Sequence, residues 1–162
     1  MIDTEWVLKQ IVDMVLANLP GEIDLMNSTR TDFQLPQIPA EAFFFSALHR
    51  AAFNYEQFVV FGFSNAPTYA SAQEDNAVKQ IELFFEVVAS DAGESFESNV
   101  VYKLLRYSKV LENVFLKNSD KAMQGYGRIQ VSTLVPSTLY SGADGKPIRS
   151  AGVSVVAHIT AR

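Results

Sequence analysis

The sequence predicts an α/β (α+β) fold: about four mixed strands packed against an N-terminal helix and one long crossover helix. Three observations point there. The stretch VKQIELFFEVVAS at 78–90 alternates, with Ile81, Leu83, Phe85, Val87 and Ala89 making one face uniformly apolar. FESNVVYKLLRYSKVLENVF at 96–115 then changes to helical spacing, with Val101, Leu104, Leu105, Ser108, Leu111 and Phe115 as its buried stripe and Val100, Tyr107 and Val114 widening it. Further strand-like segments lie at 57–63, 128–135 and 152–160, so a helix joins strands of one sheet.

Taken in order, residues 4–19 form the first helix. Asp3 or Thr4 caps it, Glu5 places negative charge in its first turn, and Leu8, Ile11, Val12, Val15 and Leu19 share a stripe. Pro20-Gly21 is expected to end it. Residues 22–55 read as a long irregular insertion punctuated by Pro36 and Pro39. Within it, alanine-rich residues 40–53 permit a helix, on which Phe43, Phe44 and Phe45 cannot all face one side. QFVVFGF at 57–63 is β-branched and aromatic, hence a buried strand. SNAPTYASAQEDNA at 64–77 reads as a loop joining two strands. Ser95 is placed to cap the central helix, which NSDKAMQG ends. Ile129, Val131, Thr133 and Val135 alternate, as do Val153, Val155, Ala157 and Ile159, and Asp144-Gly145 between them suits a tight hairpin bend. The chain reads as a single domain, 1–162, with its sheet-and-helix core at 57–162.

Composition narrows the function. The 162 residues are 48% hydrophobic and 19% charged, which is globular. A net charge of −5 argues against a general nucleic-acid binder, although an acidic wall beside DNA would keep phosphate from sticking. The absence of cysteine excludes disulfides, thiolate metal sites and a cysteine nucleophile. The start, MIDTEWVLKQIVDMV, is amphipathic rather than solidly apolar, unlike a signal peptide, and no apolar run has the length of a membrane span. With 12 Phe against 6 Tyr and 1 Trp, much aromatic surface needs a core or a subunit interface.

No nucleotide-binding glycine loop, nucleophile elbow, zinc-protease motif or calcium loop occurs. His49 and His158 are the only histidines and read as surface or internally bonded groups. Glu82 and Glu86 share a strand face with Phe84 between them; they serve either as a solvated face, as a channel wall that repels DNA, or as the carboxylate pair of a small hydrolase. Lys103, Arg106 and Lys109 share the polar side of the central helix, as a solvated face or as partners in an intersubunit salt bridge. Phe43, Phe44 and Phe45 either anchor a subunit interface or fill the domain's own core.

The order of elements from Gln57 onward resembles the tail terminator (tail completion) proteins of long-tailed bacteriophages. The resemblance rests on QFVVFGF and VKQIELFFEVVASD as strands, and on SNVVYKLLRYSKVLENVF, where Arg106-Tyr107 follows a leucine pair. GRIQVSTLVPSTL and RSAGVSVVAHITAR look like the closing strands, and the N-terminal helix fits the same plan. It implies a structural protein rather than an enzyme, without cofactor, that forms a ring, usually of six copies, at the head-proximal end of the tail. Its partners would be copies of itself, the tail-tube protein and the head-tail connector or adaptor, with DNA passing through the lumen. Its place would be the virion neck. The insertion at 22–55 is longer and richer in Phe than in small members of that family, which leaves a different neck or head-completion adaptor as the neighbouring reading.

Overall fold

The computed structural model describes residues 3–45, 50–69, 78–90, 97–122, 124–141 and 147–160. Helix α1 spans Thr4–Ser28 and α2 Glu97–Ala122; the strands are β1 (Phe43–Phe45), β2 (Gln57–Phe63), β3 (Thr68–Tyr69), β4 (Val78–Ser90), β5 (Gly127–Ser141) and β6 (Pro147–Thr160). The fold is α+β, with both helices packed on one face of a mixed sheet. Among the described residues the sheet holds six strands rather than about four, in the order β1-β2-β4-β6-β5, with short β3 continuing the β2 side of β4. Among the described residues only β1 and β2 pair in parallel; the other neighbours are antiparallel. Because β6 inserts between them, β4 and β5 run parallel, and α2 is the crossover between two strands one position apart.

The alternation of β4 sets the layers. Ile81, Leu83, Phe85, Val87 and Ala89 are all buried, in register with Ala157, Val155, Val153, Ala151 and Arg149 of β6. Phe85 stacks on Phe61 of β2 at 5.6 Å and meets Phe115 of α2 at 5.3 Å, so this face is the one the helices cover. Leu104, Tyr107, Leu111 and Phe115 close the layer from α2.

The first helix does not stop at Pro20. It is capped as expected, Trp6 N–H donating to Asp3 Oδ1 at 2.7 Å, and then runs on to Ser28. A proline inside a helix costs about 3 kcal/mol, since it removes one ladder bond and crowds the preceding turn. Full burial of Ile23 alone returns about 2 kcal/mol. The last turn is further held by Asn27, whose side-chain amide donates to the Leu35 carbonyl at 2.9 Å and accepts from Leu35 N–H at 2.7 Å. Tertiary burial and this clamp outweigh the local break.

The described parts of 40–53, residues 40–45 and 50–53, do not form an α-helix either. A 3-10 turn at Ala40–Ala42 leads into β1, and a second spans Arg50–Asn54. An extended Phe triplet places aromatic rings on both faces of β2, which is itself buried nearly throughout; a helical triplet could not.

The C-terminal hairpin is longer than the alternation indicated, its ladder reaching Ser141↔Pro147. Register shifts interrupt β5 between Val131 and Thr133 and between Val135 and Thr138. Pro136 falls in the second, on the outermost strand, where a missing N–H does the ladder least harm. The Asp144-Gly145 bend, the Ser95 cap and residues 70–77 lie outside the described residues. No helix among the described residues is long and apolar enough to cross a membrane.

Candidate assembly surfaces

The Phe triplet divides between the two faces of the sheet. Phe43 and Phe45 align with Val59 and Phe61 on the helix side, and Phe44 aligns with Val60 on the other. Phe44 packs edge-on against Phe58 at 5.9 Å and lies 6.2 Å from Tyr55, so it serves the domain's own packing. Phe45 contacts Phe61 and Phe63 at 5.7 and 5.9 Å yet remains 43% exposed, which leaves half a ring available at the sheet's border.

Glu82 and Glu86 share the face turned away from the helices, with Phe84 between them as the alternation required. Their register partners on β6 are Val156 and Gly152. Glu82 accepts from the Asn65 side-chain amide, and one position along Gln80 lies 3.5 Å from His158 Nδ1. His158 thus sits on the polar side, as expected; His49 lies outside the described residues.

The three basic residues of α2 do not act as a set. Arg106 is anchored internally: it pairs with Asp32, donates to the Phe33 carbonyl at 3.0 Å and sits 3.9 Å over the Phe33 ring. The Arg106 guanidinium, helped by the Phe33 N–H, holds the Asp32 carboxyl down at about 2. Lys103 is partly withdrawn from water, and that burial lowers its pKa against the opposing pull of Glu56. Lys109 is half-exposed and pairs with Glu112 one turn on. Of the three, only Lys109 presents its charge outward.

Sequence reasoning missed two features. The first is that Arg106 and Tyr107 tie α2 to the chain following α1, Tyr107 Oη donating to the Pro36 carbonyl at 2.6 Å. The second is an apolar shoulder on α2. Leu105, expected in the buried stripe, is 51% exposed, together with Tyr102 and Leu116. The stripe is narrower than the run of leucines because the core needs only the half-turn that faces the sheet and α1. Leu105 and Leu116 lie about half a turn around the helix from Val114 and Tyr107.

No protein-family model matches this chain, and no curated protein matches it. Among the described residues, no three His, Cys, Asp or Glu side chains converge in a way that would hold a metal ion. Three surface features stand out among the described residues: an exposed aromatic border at β1, exposed apolar side chains on α2 and a mixed sheet face bearing two carboxylates.

Proposed function

We propose that this protein is a structural component of a bacteriophage tail, a tail terminator that forms a ring at the head-proximal end of the tail tube and joins it to the head connector. The observation that carries the reading is the arrangement of α1, β2, β4, α2, β5 and β6. They follow one another in the order on which the resemblance rests, with both helices on one sheet face and β1 and β5 as terminal strands without a further described neighbour. A ring closes by heterologous contacts, in which each copy uses two different surfaces, and its two ends then differ. One end would bind tube subunits and the other would refuse further addition. Exposed Phe45 at one border and exposed Leu105 and Leu116 on α2 supply distinct apolar surfaces for such contacts. In this reading the Glu82–Glu86 face lines the lumen, where carboxylates let DNA pass without sticking.

The decisive experiment mixes the protein with polymerising tail-tube protein. Annular particles at one end of each tube, with elongation arrested, are the expected result. Tubes that grow unchanged while the protein stays monomeric would overturn the reading.

A further inference from the structure

Where the C-terminal end of α1 meets α2, the surface is hollow. The pocket holds about 400 Å³ and has two kinds of wall. One is apolar, made by Met26 of α1 with Tyr102 and Leu105 of α2, the last two about half exposed. The other is cationic, made by Arg30, Arg106 and Lys109, with Asp32 as the one carboxylate in the lining.

Hydrogen-bond capacity decides what this lining takes. Arg106 uses two of its five N–H groups, on the Asp32 carboxylate and the Phe33 carbonyl, and is fixed 3.9 Å over the Phe33 ring. Lys109 is closed by its pair with Glu112 at 2.5 Å. Arg30 is exposed just past the helix, and its side chain bonds to no other described residue. With both ion pairs neutral, Arg30 sets the net charge of the pocket, and the remaining N–H groups of Arg106 stand behind it. Donors therefore exceed acceptors here, in a chain where 18 acidic residues outnumber 13 basic ones. Asp32, held ionised by Arg106, repels a dianionic phosphate where a carboxylate of single charge is tolerated. The half-exposed rim also leaves the pocket too open to enclose a small molecule, so its occupant continues beyond the rim. Tyr, Met and Arg are the residue types enriched where protein contacts are centred.

We propose that this pocket binds an acidic peptide segment of a partner protein. One apolar side chain of the segment seats against Met26, Tyr102 and Leu105, and an adjacent carboxylate meets Arg30 and the remaining N–H groups of Arg106. The assignment goes beyond the ring reading and does not depend on it.

The probe is the capped tetrapeptide Gly-Phe-Glu-Gly, titrated into the isotope-labelled full chain and followed by backbone amide shifts. Saturable shifts at Met26, Arg30, Tyr102, Leu105 and Arg106, with a millimolar Kd, are expected. Replacing the peptide's Glu by Gln weakens binding about tenfold, the worth of a charge-assisted bond. In the protein, Arg30→Gln and Leu105→Ala each weaken it about threefold. Both positions are exposed, so neither variant moves the urea midpoint and the loss is not unfolding. Arg106 is left intact because its bonds to Asp32 and Phe33 tie α2 to the chain following α1. No saturable shift, or equal affinity for the Gln peptide, overturns the site. Free hydrocinnamate, which carries the same ring and carboxylate, binds about tenfold more weakly than the peptide. Equal affinity would make the occupant a small organic acid and overturn the peptide assignment. Shifts of the same amides on concentrating the protein alone would make the occupant a second copy, and would overturn it too.

Discussion

The Tyr107 ring is fully buried, and its hydroxyl donates to the Pro36 carbonyl, joining α2 to the segment after α1. Burial, with a smaller contribution from the charge of Glu56, pushes its pKa above the ordinary 10.0. An acid whose folded value lies above its unfolded one stabilises the fold fully below the unfolded value and loses that contribution as pH rises toward the folded one. Native protein should therefore lose stability on raising the pH above 10.0. Tyr107→Phe should cost about 1 kcal/mol at neutral pH, through the unpaired carbonyl, and flatten the alkaline decline. Urea titrations across that range measure both. Asp32 acts at the opposite end: its contribution is present above 3.8 and is lost as pH falls through about 2. Gly152 illustrates a purely steric demand. A Cβ there would sit 1.9 Å from the Phe85 carbonyl oxygen and 2.6 Å from Glu86 Cα. That backbone belongs to β4, paired on both sides and unable to retreat. Gly152→Ala should destabilise by about 3 kcal/mol, read as a lower urea midpoint.

At the scale of elements, α1 contains an avoidable defect. Pro20 is exposed within the helix, so Pro20→Ala restores a bond to the Leu16 carbonyl at no packing cost. The gain expected is about 2 kcal/mol, the helix-interior penalty less the entropy that proline removes from the unfolded chain. Urea denaturation of the variant beside the native protein measures the gain, and an unchanged midpoint would contradict it. The same residue shows what the chain reveals locally and what it conceals. The faces of β4, the core of α2 and the Asp3 cap were legible because each depends on neighbours within a few residues. Continuation of α1 was not, because Ile23 and Asn27 are decided by contacts with the core and with Leu35. Nor was β1, since a three-residue strand has too little alternation to show and exists only by pairing with β2. For the candidate surfaces, the exposure of Leu105 and the internal tie of Arg106 to Asp32 depend on which side of α2 another segment covers, and 74 residues separate that pair.

For the whole molecule, charge placement gives the sharpest test of where DNA would run. The protein carries −5 overall, and Glu82 and Glu86 stand on the sheet face opposite the helices. Both carboxylates are partly buried, and Glu86 is in register with Val60 of the core cluster. Among the described residues the Glu82 side chain holds the Asn65 amide on an exposed loop, so replacing both by lysine should cost about 1 kcal/mol. If this face lines the lumen, a ring of Glu82→Lys/Glu86→Lys copies presents a closed belt of cations to the duplex. Assembled particles of the double variant should then retain DNA at low salt and release it steeply as salt rises, the slope growing with the number of phosphates neutralised. Native particles should retain none under the same conditions. Glu82→Gln/Glu86→Gln separates this from catalysis, because it removes carboxylate chemistry without adding cations: assembly should be unchanged and DNA retention should stay near the native level. Lysine variants that assemble normally yet bind DNA no better than the native ring would move the lumen wall to another face.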